Sequence, residues 1–210
     1  MLKHRLTFKN TVFLFMLFVF AMVLANAAPT EQSRVNAASV AKKTKKAKKL
    51  YNKKLQKIYS NSEFYSYKIT DIYGDKVPEL LVDYSPAGES YGTFEIYTYK
   101  NGKISRMLEA DSTNLNMTSY KKSKSLVLST TYHGYVEYSF YTVKKGKYRL
   151  LAYRHHNEDM GEYDIWYYKN AKGEDISKSS FLKKVKGVRK GKKKTLDPGK
   201  WTFCAGYYYY

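Results

Sequence analysis

Residues 125–154, SLVLSTTYHGYVEYSFYTVKKGKYRLLAYR, decide the fold, because they hold three β-type runs separated by very short gaps. The gaps are His133-Gly134 and the four residues 144–147, which include a glycine. Parallel strands need a crossover connection of about a dozen residues or more, and these gaps are far shorter. The runs are therefore expected to be consecutive antiparallel strands: Ser125–Tyr132, Tyr135–Val143 and Tyr148–Arg154.

Further β-type runs lie on both sides of this stretch. They occupy residues 64–70, 80–84, 94–98 and 164–169. Asn101-Gly102 predicts a hairpin with a type I′ turn, because both residues tolerate the positive φ that this turn requires. Together the runs predict an antiparallel meander of about seven strands within residues 62–176.

Two helical patterns flank the sheet, so the predicted fold class is α+β. Over residues 44–61, apolar side chains recur at steps of three and four and lysines fill the other positions, which predicts a basic amphipathic helix. The apolar stripe consists of Ala47, Tyr51, Leu55, Ile58 and Tyr59. Residues 28–43 are interpreted as a linker. Residues 177–210 are predicted to form a short helix, capped by Ser177, and a basic, aromatic tail.

Residues 1–27 have the parts of a secretory signal peptide. A positive n-region precedes an apolar run over residues 12–24 and the small-x-small pattern Ala25-Asn26-Ala27. A transmembrane helix needs about 20 apolar residues, so cleavage is expected rather than an uncleaved anchor. Cys204 is the only cysteine, and export without a disulfide favours a bacterial protein that is secreted or associated with the cell envelope.

The net charge of +20 is concentrated at the two ends of the exported chain. Residues 28–57 and residues 178–210 each carry +9, whereas residues 58–177 carry −1. Such segregated charge attracts anionic polymers and surfaces, and a solvated, partly disordered pair of segments is the simpler alternative. The residues predicted to bind an anionic polymer are Lys42, Lys43, Lys45, Lys46, Lys48, Lys49, Lys53, Lys54, Lys183, Lys184, Lys186, Arg189, Lys190, Lys192, Lys193 and Lys194.

The motif DIYGDKVPELL contains three carboxylates, Asp71, Asp75 and Glu79, and such oxygen ligands suit Ca²⁺. The motif resembles the D-x-[DN]-G-D-G-x-P-E-L loop of the FG-GAP, VCBS and EF-hand-like calcium modules. Tyr73 replaces a ligand of that pattern, and Lys76 stands where the pattern has glycine. We interpret the motif as a degenerate structural loop, with weak Ca²⁺ binding as the alternative.

The resemblance extends to uncharacterised small secreted proteins of Gram-positive bacteria, in which a single loop of this kind lies between two strands. The hairpin at residues 97–103 and the stretch 170–181 are also similar to these proteins. Because the group has no general assigned activity, the resemblance implies export and a fold rather than a reaction.

The many tyrosines are expected to lie on half-buried sheet surfaces, where an aromatic ring packs and its hydroxyl stays wet. The alternative is a platform on which sugar rings stack. The candidate glycan-binding residues are Tyr132, Tyr135, Trp166, Tyr167 and Tyr168.

Two motifs that resemble catalytic sites are interpreted as non-catalytic. Gly88–Gly92 matches G-x-S-x-G, but a β-type run follows it, whereas a nucleophile elbow leads into a helix. His155, His156 and the acidic residues of segment 158–164 could hold Zn²⁺ or transfer protons, yet their spacing is no recognised zinc pattern. A solvated loop is the favoured interpretation, so no catalytic residue and no cofactor other than weak Ca²⁺ is predicted.

The leading functional hypothesis is a noncatalytic secreted module that associates with anionic wall polymers or lipid headgroups of the cell envelope. One alternative is an envelope hydrolase of polysaccharide or peptidoglycan that uses Glu158 or Glu162, and another is a calcium-responsive extracellular domain. Export argues against specific nucleic-acid recognition, although the basic flanks would bind DNA nonspecifically at low salt.

Overall fold

The computed structural model describes residues 31–60, 64–84, 92–157, 165–196 and 200–205, so the predicted signal peptide lies outside the described residues. The elements in these ranges are α1 (Glu31–Tyr59), β1 (Phe64–Thr70), β2 (Glu79–Asp83), β3 (Thr93–Lys100), β4 (Lys103–Asp111), β5 (Asn116–Tyr120), β6 (Ser125–Tyr132), β7 (Tyr135–Lys144), β8 (Lys147–Asn157), β9 (Tyr167–Asn170), α2 (Lys178–Val185), β10 (Lys193–Leu196) and β11 (Thr202–Ala205). The predicted α+β class with antiparallel strands is confirmed. Within the described ranges, no helix has both the length and the apolar character needed to cross a bilayer.

The strands form two antiparallel sheets instead of the single meander of about seven strands that the sequence predicts. Sheet 1 has the order β11-β1-β2-β3-β4, and sheet 2 has the order β10-β5-β6-β7-β8-β9. The seven predicted runs do not include β4, which only the predicted Asn101-Gly102 hairpin implies. The prediction missed β5, β10 and β11, because four or five residues are too few for a periodic pattern. Two of these strands come from the region predicted as a helix and tail, and they extend the sheets at β1 and β5.

Tight turns set the strand register. Asn101 and Gly102 both have positive φ, 52° and 81°, which confirms the predicted type I′ geometry between β3 and β4. Lys145 and Gly146 repeat this pattern with φ of 53° and 75° between β7 and β8. Each turn places the flanking residues directly opposite one another, as in the pair Lys144 and Lys147.

The structure has four layers, in the order α1, sheet 1, sheet 2 and α2, and an apolar cluster lies between each neighbouring pair of layers. The central cluster lies between the sheets and includes Leu81, Phe94, Ile96, Met117, Leu126 and Leu128. The cluster on the outer face of sheet 1 includes Ala47, Tyr51, Leu55, Leu80 and Val82, and the cluster on the outer face of sheet 2 includes Val127, Phe140, Ala152, Phe181 and Val188. Both faces of sheet 1 are covered by a cluster. Because successive residues of a strand point to opposite faces, every residue of β2 is therefore buried.

Helix α1 begins at Glu31, so part of the segment interpreted as a linker is helical. The chain divides into two compact units after Ala41, and residues 36–39 of the first unit are exposed helical positions. In the second unit the predicted stripe is buried as far as Ile58, whereas Tyr59 is 41% exposed. The Tyr51 hydroxyl donates to the carbonyl oxygen of Pro78 at 2.9 Å and so ties α1 to the chain just before β2.

Helix α2 has the predicted cap, because the Ser180 amide donates to Ser177 Oγ at 3.2 Å. Phe181 is buried edge-on against Phe140 of β7, with 5.4 Å between ring centroids. Leu182 of the same helix is 53% exposed.

Candidate functional site

The Asp71 carboxylate is bonded within the protein. Its Oδ1 accepts the Gly74 amide at 2.5 Å, and its Oδ2 accepts Lys121 Nζ at 3.1 Å. Lys194 Nζ donates to the Asp71 carbonyl at 3.4 Å and to the Thr70 hydroxyl. Desolvation and the nearby Lys121 lower the pKa of Lys194. Lys194 therefore points into the protein, unlike the exposed members of the predicted polymer-binding set.

The other two carboxylates of the motif are also engaged. Glu79 is 1% exposed, and its Oε2 accepts the Ile72 amide at 3.0 Å, while Asp75 Oδ1 accepts the Val77 amide at 2.9 Å. Burial raises the pKa of Glu79 to about 8, so this carboxyl is largely protonated at neutral pH.

The calcium hypothesis stays a prediction. Among the described residues, no group of three or more His, Cys, Asp or Glu side chains is placed to hold a metal ion. The loop nevertheless keeps the backbone shape that its pattern requires, because Lys76 has φ 67° at the glycine position and Gly74 has φ 79°. A Cβ on Gly74 would lie 3.0 Å from the Lys121 Cβ, so the lysine packs directly over the loop.

A cleft of about 850 Å³ opens between the sheets and is lined by hydroxyl, carboxylate and aromatic side chains. They include Asp111, Thr130, Tyr132, Tyr135, Glu137 and Tyr141. Glu137 Oε1 accepts the Ser139 hydroxyl at 2.5 Å, and Glu137 Oε2 accepts the Tyr135 hydroxyl at 3.4 Å. Burial, together with the carboxylates of Glu137 and Asp111, raises the pKa of Tyr141 to about 12. Acidic groups from both sheets therefore lie close to the same phenol.

The five predicted glycan-binding residues do not form one platform. Tyr132 and Tyr135 line the inter-sheet cleft. Tyr135 also lies 5.1 Å from the ring of His155, which joins it to Tyr167, whereas Trp166 and Tyr168 have other partners. Tyr167 stacks on His155 at 5.3 Å, Trp166 stacks on His156 at 4.1 Å, and Tyr168 contacts Phe181 at 5.1 Å.

The predicted histidine and carboxylate cluster is divided in the same way. His155 and His156 are consecutive residues of β8 and so lie on opposite faces of sheet 2. Their separate ring stacks agree with this placement. The acidic residues at 158–164 lie outside the described residues, as does most of the G-x-S-x-G match. The element that follows that match is strand β3, not a helix.

The basic residues of the helices lie mainly on the outside. Eight lysines of α1 are exposed, and we call them the α1 surface: Lys42, Lys43, Lys45, Lys46, Lys48, Lys49, Lys53 and Lys57, the last of which was not in the predicted set. Lys54 is half-buried, with its Nζ 4.9 Å from the Tyr97 ring centroid. In and after α2, the exposed members of the predicted set are Lys183, Lys184, Lys186, Arg189, Lys190, Lys192 and Lys193, which we call the α2 surface, and Lys178 of the same helix is exposed as well.

A second cavity, of about 590 Å³, lies between α2 and the outer face of sheet 2. Its lining includes Phe140, Arg154, Phe181, Val185, Lys186 and Arg189, and we call it the α2 groove. Sequence reasoning missed Arg154, since a single arginine in a strand has no distinguishing pattern.

No family model matches the chain, and no curated protein or solved structure matches it either.

Proposed function

We propose that this protein is a noncatalytic exported module that associates with anionic polymers or lipid headgroups of the cell envelope through the α1 and α2 surfaces. The observation that carries the proposal is the exposure of eight lysines on α1, whose opposite stripe is buried against sheet 1. The helix thus holds its ammonium groups in solvent while its apolar side anchors it to the protein.

The charge on these surfaces lacks acidic neighbours along the chain. Residues 36–59 and residues 178–194 contain no aspartate or glutamate. Like charges at i and i+4 destabilise a helix by a few tenths of a kcal/mol per pair, and a bound polyanion would relieve this repulsion. Each lysine near an anionic surface contributes about 1 kcal/mol of attraction at modest salt. Several lysines together would hold the protein without a shaped pocket.

The test is sedimentation of the protein with purified cell walls, with and without their anionic polymers, across a salt series. A quadruple variant, Lys42→Gln, Lys45→Gln, Lys49→Gln and Lys53→Gln, removes one row of exposed charges from α1. We expect it to dissociate at lower salt, because each contact with an anionic group adds to the salt dependence.

The control removes the same number of exposed charges elsewhere: Lys100→Gln, Lys103→Gln, Lys147→Gln and Lys172→Gln. This control should keep the retention of the unmodified protein. Dissociation of the two variants at the same salt concentration would contradict the proposal, and so would retention that is independent of the anionic polymers.

A second candidate function is glycan contact in the inter-sheet cleft, which is favoured by the hydroxyl and tyrosine lining around Tyr132 and Tyr135. Sugar-binding sites combine aromatic faces with a few polar groups that fix orientation. Wall retention that resists salt and is lost in Tyr135→Ala would support this candidate. The hydrolase hypothesis remains separate, and turnover of wall material that is abolished by Glu158→Gln or Glu162→Gln would support it.

A further inference from the structure

The α2 groove combines an apolar floor with cationic walls. Phe140 and Phe181 meet at its base, and Val185 lies beside them. Leu182 on the rim is 53% exposed. Arg154 and Arg189 belong to the same cavity, and no acidic residue is among its described lining. A cavity of this kind favours a ligand that carries a negative charge at one end and apolar groups at the other.

Arg154 is held in place without an acidic partner in the described part of the chain. Its guanidinium lies 4.1 Å from the Trp166 ring centroid and 5.1 Å from that of Tyr138. Its Nε atom is buried and has no hydrogen-bond partner in the described structure. Arg154 lines the cavity, so its positive charge has no acidic counterpart in the described lining.

The second arginine strengthens the preference for an anion. Arg154 and Arg189 line the same cavity, and desolvation together with the charge of Arg189 lowers the pKa of Arg154. The Arg189 guanidinium is 5.3 Å from the Phe140 ring centroid, so it lies over the apolar floor. Guanidinium groups bind phosphate oxygens with paired, charge-assisted hydrogen bonds.

We propose that the α2 groove binds one anionic phospholipid, with the phosphate between Arg154 and Arg189 and an acyl chain along Phe140, Phe181 and Leu182. The apolar floor distinguishes this ligand from a free phosphate ion, which would leave the floor uncovered. The inference rests on the proposed function for the presence of an anionic lipid surface. It adds a saturable site of fixed stoichiometry, which diffuse attraction to lysines does not provide.

The test is calorimetric titration of the intact protein with dihexanoyl phosphatidylglycerol below its micelle concentration. Dihexanoyl phosphatidylcholine and inorganic phosphate are the comparison ligands. We expect one phosphatidylglycerol per chain, no binding of phosphatidylcholine, and phosphate affinity lower by about tenfold or more, because the acyl chains lose their contacts. Equal affinity for phosphate and phosphatidylglycerol would overturn the proposal, and so would binding of phosphatidylcholine.

Two exposed residues provide variants that keep the fold. Arg189→Gln should weaken phosphatidylglycerol binding by about tenfold, the value of one charge-assisted hydrogen bond. Leu182→Ser should weaken it severalfold without changing the affinity for phosphate. The control Lys103→Gln removes an exposed charge outside the groove, and an affinity loss equal to that of Arg189→Gln would overturn the proposal.

The quadruple α1 variant separates this inference from the proposed function. It should keep its single phosphatidylglycerol site while it dissociates from cell walls at lower salt. Salt-independent wall retention together with an intact lipid site would refute only the proposed function. Wall retention that follows the α1 charges, without a lipid site, would refute only the inference.

Discussion

The ammonium group of Lys121 lies 3.1 Å from the Asp71 carboxylate, although the two residues follow strands of different sheets. Lys121 follows β5 at the turn to β6, and Asp71 follows β1. Lys194 adds a second ammonium group against the carbonyl oxygen of Asp71. Two lysines of the chain thus donate to oxygen atoms of Asp71, one to its carboxylate and one to its carbonyl.

Removing the Lys121 charge should strengthen any Ca²⁺ binding by the loop. We expect Lys121→Gln to raise the affinity by about two- to fivefold, since a partly exposed ion pair contributes less than about 1 kcal/mol. Calorimetric titration with CaCl₂ measures the effect. Lys122→Gln is the matched control, because it removes the neighbouring exposed charge. Unchanged affinity in Lys121→Gln would show that the lysine does not compete with the cation.

Lys76 is expected to be strained, because it has φ 67° where the related pattern has glycine. The left-handed conformation costs a residue with a Cβ about 1–2 kcal/mol, and part of this is offset by the greater entropy of glycine in the unfolded chain. Lys76→Gly should therefore raise the free energy of unfolding by about 0.5–1 kcal/mol, as measured in urea. Lys103→Gly, within strand β4, should lower the free energy of unfolding. Equal effects of the two changes would contradict the claim that Lys76 is strained.

Local patterns in the sequence predicted those features that depend on residues close together along the chain. The Asn101-Gly102 turn specifies how β3 meets β4, and the stripe of α1 identifies the side that faces sheet 1. The pairing of Phe64 with Ala205 could not be predicted in this way. Residues so distant in sequence share no periodic signal, and β11 is too short to carry one of its own.

The candidate sites were harder to predict than the fold for the same reason. Glu137 and Tyr141 share strand β7, whereas Asp111 belongs to the other sheet and becomes a neighbour of Tyr141 only after the sheets have packed. In the sequence Asp111 and Glu137 are each one acidic residue in a strand, as expected for a solvent-facing position. Arg154 and Arg189 likewise come together only when α2 packs on sheet 2. The clustered lysines of α1, in contrast, are visible in the sequence because they are adjacent.

Glu79 should make the protein less stable as the pH rises toward 8. Its pKa is raised from the usual 4.5 to about 8 by burial. Between these values the folded chain holds a proton that the unfolded chain has released, so the free energy of unfolding falls as the pH increases. The contribution is complete below about pH 4.5 and lost above about pH 8, with a slope of about 1.4 kcal/mol per pH unit between these values. When the free energy of unfolding is measured in urea from pH 5 to 8, Glu79→Gln should lack this slope. Parallel pH profiles of the variant and the unmodified protein would refute the prediction.

Glu95 should show the opposite dependence. Although burial acts to raise its pKa, hydrogen bonds from Tyr97, Arg106 and Tyr84 outweigh this effect and lower it. The Tyr97 and Tyr84 hydroxyls donate to Oε2 at 2.5 and 2.7 Å. A lowered pKa contributes stability above the unfolded value that is lost as the pH falls through the folded value. Glu95→Gln should therefore destabilise the protein at pH 7 and do so less below pH 4, which unfolding across pH 3–7 can measure.

The α1 and α2 surfaces face away from each other, because α1 covers the outer face of sheet 1 and α2 covers that of sheet 2. Layers spaced by about 10 Å place them roughly 30 Å apart, which exceeds the Debye length of about 10 Å at 0.1 M salt. Each surface should therefore attract an anionic partner independently, and one molecule should be able to bridge two vesicles.

Light scattering from vesicles of phosphatidylglycerol and phosphatidylcholine provides the measurement for bridging. We expect scattering to rise at low protein-to-lipid ratios and to fall in protein excess, when every vesicle is coated and no free surface remains for a second contact. The quadruple α1 variant should still bind through the α2 surface but should not cluster the vesicles. The quadruple control with the changes at Lys100, Lys103, Lys147 and Lys172 should cluster them normally. Clustering by the α1 variant at the same protein ratio would mean that a single basic surface is sufficient, and the two-sided arrangement would then have no part in bridging.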